Sequence, residues 1–256
     1  MIAAVLLLLV VGTGRVIALE RWPRLDPARR VWRFVAPRVS AYVRSAPGTY
    51  AYLFVLLITT WVLQTSSSRI ANQLLLERST NLHQLARDPV RVLFSSAFWV
   101  SSGLELAGWI ALFSLVVAPV ERWLGTARTA SVFFLGHVGA TLLTAGGLWL
   151  ALRADLVELS VADARDVGAS YGFFAVAAIF VYRLGRRPRL VYAIALIAYV
   201  GIDAALSDSF SSLGHVAALV IGFACRPISR RQGTRQRFSG RDPAPTRGGD
   251  RPESRR

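Results

Sequence analysis

The chain contains no lysine. Its thirty basic residues are all arginine, set against fifteen acids, for a formal net charge of +15. GC-rich coding accounts for that bias, which carries no functional content. A single cysteine, Cys225, excludes a disulfide framework within the chain. Three histidines and one cysteine, with no ligand spacing among them, predict neither a metal site nor a cofactor. What is abundant is apolar: 54% of the residues, with a mean hydropathy of +0.44. That exceeds the apolar share of an ordinary soluble domain. The apolar residues come in blocks of about 17–25, the length of a membrane span. An all-α polytopic membrane protein follows, of a size for roughly one helical bundle.

The charge is uneven. Residues 21–44 carry seven arginines, and a second cluster lies between Arg226 and Arg256. Beside membrane spans such runs read as cytoplasmic topology signals with anionic-lipid contact, not as nucleic-acid binding. Six spans are expected, at 49–64, 103–120, 129–150, 168–184, 189–206 and 210–225. The turns at 121–128 and 183–189 are basic, whereas 153–167 carries Asp155, Glu158, Asp163 and Asp166. The alternation places both ends of the six-span core in the cytoplasm.

The chain divides accordingly. Residues 1–19 are hydrophobic and read as an extra helix or a wrongly assigned start. Residues 20–47 form a basic cytoplasmic segment, 48–226 the transmembrane domain, and 227–256 a disordered basic tail. The long loop at 66–99 is too polar to cross. Its Leu74–Leu76 and Leu93–Phe98 patches predict a segment lying on or dipping into the outer interface.

Two residues gain meaning from this topology. Ser170 opens the fourth span from the outer side, and His215 sits about five residues into the sixth, entering from the same side. At about 1.5 Å per residue, both lie within roughly 10 Å of the outer boundary. A serine and a histidine at matching depth suffice for nucleophilic catalysis, the imidazole taking the hydroxyl proton and returning it to the leaving group. Ala218 and Gly222, four residues apart, provide a small face for close helix approach, and Gly168 and Gly172 flank the serine. Phe174, one turn beyond Ser170, shares its side of the helix and is placed to pack on His215. Asp166 is expected to cap the fourth span. His137, in the third span, is expected to make a helix–helix hydrogen bond.

Gly168-Ala169-Ser170 at the start of span four, followed by His215-x-x-Ala218-x-x-x-Gly222 in span six, resembles the rhomboid family of intramembrane serine proteases. The turn 120–125, "VERWLG", resembles that family's Glu-Arg-x-x-Gly turn, and "RVLFSSAFW", 91–99, its approach to the second span. The resemblance covers about 48–226. It implies a six-helix rhomboid-like bundle, a Ser170–His215 catalytic dyad opening outward, and transmembrane or juxtamembrane segments of other membrane proteins as partners besides lipid. It points to a divergent group of bacterial, actinobacterial plasma-membrane proteins.

Two positions depart from the family pattern. Tyr171 follows the serine where the family has glycine. Glu105 and Trp109 stand where the family places a His and an Asn that hold the oxyanion. Gly168, Tyr171, Phe174, Glu105 and Trp109 are therefore the expected lining of the site. A carboxylate stabilises an oxyanion only when protonated, and an indole offers one donor. The departures leave open a pseudoprotease that binds client helices without cutting them. A small transporter using Glu105, His137, Asp203 and His215 as a polar path is a further alternative.

Overall fold

A computed structural model describes residues 26–158, 166–207 and 209–230. The expected extra helix at 1–19, and the tail beyond residue 230, lie outside the described residues. No strand forms among the described residues. Among the described residues, five helices are long and apolar enough to cross a membrane, and a sixth apolar helix is shorter.

Helix α1, Asp26–Arg44, precedes the first span. Trp32, Val35, Val39 and Val43 recur at three- and four-residue spacing, which puts them along one stripe of the helix. Its Tyr42 hydroxyl donates to the Ser114 carbonyl at 2.7 Å, and the Arg122 guanidinium lies 5.3 Å over the Tyr42 ring. Helix α2, Pro47–Thr65, is the first span and starts with proline, which needs no N–H partner there. Its own flanking residue, Ala46, offers no cap. Glu121, buried at 3% exposure, takes that role from the second span. Its carboxylate accepts from the Gly48 N–H at 2.8 Å, the Thr49 N–H at 2.7 Å and the Thr49 hydroxyl at 2.6 Å. A fourth donor, the Thr126 hydroxyl, completes the shell at 2.6 Å. A negative charge at a helix N-terminus is favourable, and four donors offset its burial. A Cβ on Gly48 would meet Glu121 Oε1 at 3.0 Å and the Thr126 methyl at 2.5 Å, so glycine admits the carboxylate.

The expected loop after span one is instead three short helices: α3, Ser68–Glu77; α4, Leu82–Arg87; and α5, Pro89–Ser95. Each starts on a side-chain cap, from Ser67, Asn81 and Asp88 respectively, which is why a polar stretch folds as helix. Leu75, Val92 and Ala97 anchor this segment in the core. Helix α6, Gly103–Leu124, is the second span and carries one π turn at Phe113–Val117. Ser114, inside that turn, is the residue whose carbonyl receives Tyr42. Gly125, at φ +85°, makes the turn into α7, Thr126–Arg153.

Helix α8, Ser170–Phe180, is the short one, extended by a 3₁₀ turn at Val181–Arg183. Every residue from Tyr171 to Ile179 is buried. A helix enclosed by protein need not match the lipid thickness, which explains why it falls short of span length. The enclosure is tight. A Cβ on Gly136 of α7 would lie 2.1 Å from Ala175 Cβ, and one on Gly172 would meet the Phe133 ring at 2.4 Å. From the other side, a Cβ on Gly222 would meet the Ala175 carbonyl oxygen at 2.3 Å. Helix α9, Arg186–Leu206, lies on the periphery with Val200 as its buried residue. Helix α10, Phe210–Ala224, packs back on α8. Helix α11, Arg226–Arg230, adds one more helical stretch, so the first residues of the expected tail are helical.

Candidate active site

Ser170 is the first residue of α8 and is half-buried. Gly168, two residues earlier, adopts φ +135°, a region that favours glycine. Its N–H donates to the Ser96 carbonyl at 3.0 Å, fixing the entry to α8 against the 3₁₀ turn Ser96–Phe98. The cap differs from expectation. The residue before α8 is Ala169, and no side chain caps the helix. Asp166 points elsewhere: it accepts from the Thr80 and Tyr171 hydroxyls through Oδ2 and from the Ser211 hydroxyl through Oδ1, each at 2.9 Å. Its main chain is also held, by the Ser79 hydroxyl at 2.8 Å and the Thr80 N–H at 2.9 Å. Asp166 thus ties the α3–α4 corner, the start of α8 and the start of α10 together. It also borders a cavity of about 50 Å³ lined by Thr80, Thr141, Thr144 and Ser211. A larger apolar cavity of about 280 Å³, between α2, α6 and α7, touches neither Ser170 nor His215.

Tyr171 occupies the position where the resembling proteases have glycine. It is 2% exposed. Its ring fits because the facing residue of α10 is Gly214, where a Cβ would lie 2.3 Å from the tyrosine ring. The ring meets His215 edge-on at 5.6 Å and His137 at 6.1 Å. Phe174, one turn on, lies 4.7 Å from the His215 ring, and stacks on Tyr199 of α9 at 6.0 Å. His215 is therefore seated on the α8 turn that begins with Ser170. No hydrogen bond joins Ser170 to His215 among the described residues. The imidazole Nδ1 instead lies 3.0 Å from Asp203 Oδ2.

Glu105 and Trp109 are engaged with each other. Glu105 is exposed, and its backbone N–H and carboxylate complete a cap with Ser102 and the Ser101 N–H, both at 3.2 Å. Its other oxygen accepts from the Trp109 indole N–H at 3.3 Å. The Trp109 ring packs on Phe113 and Phe173. Both groups expected to face an oxyanion are thus occupied within one helix. His137 Nε2 pairs with the Ser96 hydroxyl at 3.0 Å, a contact to the 3₁₀ turn rather than to a neighbouring span. Of the four residues of the polar path considered above, Asp203 and His215 pair with each other, whereas Glu105 and His137 hold Trp109 and Ser96.

Asp203 was not singled out as a partner of His215 by sequence. The signal was present in the register. Asp203 lies three residues before the end of α9, and His215 five residues after the start of α10. The connection between them is short, so at about 1.5 Å per residue the two lie within roughly one helical turn of the same depth. Among the described residues, no group of three or more His, Cys, Asp or Glu is arranged to hold a metal.

A family model described as a rhomboid-like protein matches residues 41–235. No curated protein and no solved structure matches the chain.

Proposed function

The chain belongs to the rhomboid-like family of membrane proteins, and from that premise we propose that it is an intramembrane serine endopeptidase built on Ser170 and His215. The carrying observation is the seating of His215 on the α8 turn that opens with Ser170, with Phe174 4.7 Å from the imidazole. In this reading Ser170 Oγ attacks the scissile carbonyl carbon of a transmembrane or juxtamembrane segment. His215 takes the hydroxyl proton and delivers it to the leaving amine. Water then cleaves the acyl-enzyme, with His215 again as base. The first N–H groups of α8, including that of Ser170, have no acceptor within the helix and carry the positive end of its dipole. They supply the oxyanion donors that Glu105 and Trp109 do not. The charge pattern supports a site facing outward, with the core termini in the cytoplasm; the bacterial plasma membrane as its location rests on the resemblance.

A second reading, a client-binding protein without cleavage, is favoured by one observation. Tyr171 fills the space between Gly214 and His215, where a smaller residue would leave room for substrate. A serine-directed fluorophosphonate probe separates the two. Labelling of the purified full chain that disappears in Ser170→Ala and His215→Ala supports the peptidase. Absence of labelling in a well-folded, monodisperse wild type rejects it in favour of client binding.

A further inference from the structure

We infer that Asp203 is the positioning residue of His215, setting which imidazole nitrogen carries the proton. The contact is direct: His215 Nδ1 to Asp203 Oδ2 is 3.0 Å. An ionised carboxylate only accepts, so the proton of a neutral His215 resides on Nδ1 and the lone pair on Nε2. That is the tautomer a general base requires. The rest of the surroundings impose no competing preference: the α8 face contributes Tyr171 and Phe174 as ring contacts, with the Tyr171 hydroxyl committed to Asp166. Asp203 is thus the one charged group against the imidazole among these contacts. The two side chains are 34% and 18% exposed, so the pair is sheltered but not sealed.

The arrangement also fixes the ring in space. His215 is held between Asp203 of α9 and the Tyr171–Phe174 face of α8 while its own backbone belongs to α10. Three helices meet at this side chain. Asp203 makes the polar contact and the aromatic rings limit rotation. Without Asp203 the neutral imidazole is free to move its proton to Nε2, the form preferred by the unperturbed ring. A base with its proton on the wrong nitrogen cannot accept one from serine. The catalytic consequence rests on the Ser170–His215 reading; the tautomer itself does not.

The test uses the full chain in nanodiscs with ¹⁵N-labelled histidine. At a pH where His215 is neutral, NMR distinguishes the protonated from the unprotonated ring nitrogen. His83 and His137 are the other two histidines, and His215→Gln assigns the signal. Wild type is expected to show Nδ1–H. Asp203→Ala is expected to shift the proton to Nε2, and Asp203→Glu to restore Nδ1–H. Fluorophosphonate labelling of Asp203→Ala should slow on the order of 10²-fold, the size of a misdirected general base. An Nε2–H signal in wild type, or an unchanged tautomer in both Asp203→Ala and Asp203→Leu, overturns the inference. The leucine variant, close in volume and without an acceptor, is the check should alanine disturb folding. An unlabelled wild type with an Asp203-dependent tautomer removes the peptidase reading and keeps the positioning role.

Discussion

Replacing Tyr171 tests how α8 is held. Tyr171→Phe removes one hydroxyl and leaves the ring. That hydroxyl donates to Asp166 Oδ2 at 2.9 Å. Asp166 keeps the Thr80 and Ser211 hydroxyls at 2.9 Å, so no carboxylate is stranded. A hydrogen bond to a charged acceptor contributes about 1.5–3 kcal/mol, but polar contacts within membrane bundles average nearer 0.6, because the separated helices find other partners. The expected loss is about 1–2 kcal/mol. Tyr171→Ala also removes the ring that fills the gap over Gly214 and contacts His137 and His215. A cavity of that size in a close-packed interior costs about 3–5 kcal/mol. The gap between the two variants separates tether from wedge. Reversible unfolding in mixed micelles measures both. If Tyr171→Phe matches wild type within about 0.5 kcal/mol, the Asp166 bond is no tether. If Tyr171→Ala costs no more than Tyr171→Phe, the ring is no wedge.

Two further substitutions probe the frame around the site. Glu121→Gln retains shape but offers one acceptor oxygen and a donor group to four donors, so about 2–4 kcal/mol of stability should be lost in the same unfolding assay; a loss under about 1 kcal/mol would show that the carboxylate does not hold the start of α2. Gly222→Val places side-chain atoms where a Cβ alone would sit 2.3 Å from the Ala175 carbonyl oxygen, and backbone cannot yield as a side chain does. The α8–α10 contact should open, with loss of monodisperse protein on size-exclusion chromatography; normal elution and wild-type stability would refute that packing.

Much of this was legible along the chain because membrane spans are a local property. An apolar run and flanking arginines define where α2, α6, α7, α9 and α10 cross, and no distant partner is needed to make them helical. The rhomboid-like motifs at 168–170, 215–222 and 120–125 were readable for the same reason: each is a short string. The segment 66–99 was less readable. Its composition is polar, and only the caps at Ser67, Asn81 and Asp88 turn it into helices. Asp166 misled because acids just before a helix commonly cap it, whereas three hydroxyls, from Tyr171 of α8 itself and from Thr80 and Ser211 of other segments, take its carboxylate instead.

The sequence alone determined the class of the protein and the order of the apolar helices among the described residues, since hydropathy acts through the length of each run. Tertiary structure decided what each polar side chain holds. Tyr171 needs Gly214 opposite it, Glu121 needs the start of another helix, and His215 needs Asp203 across a turn. Those pairings depend on helix rotation and on which faces meet, and no single helix encodes them.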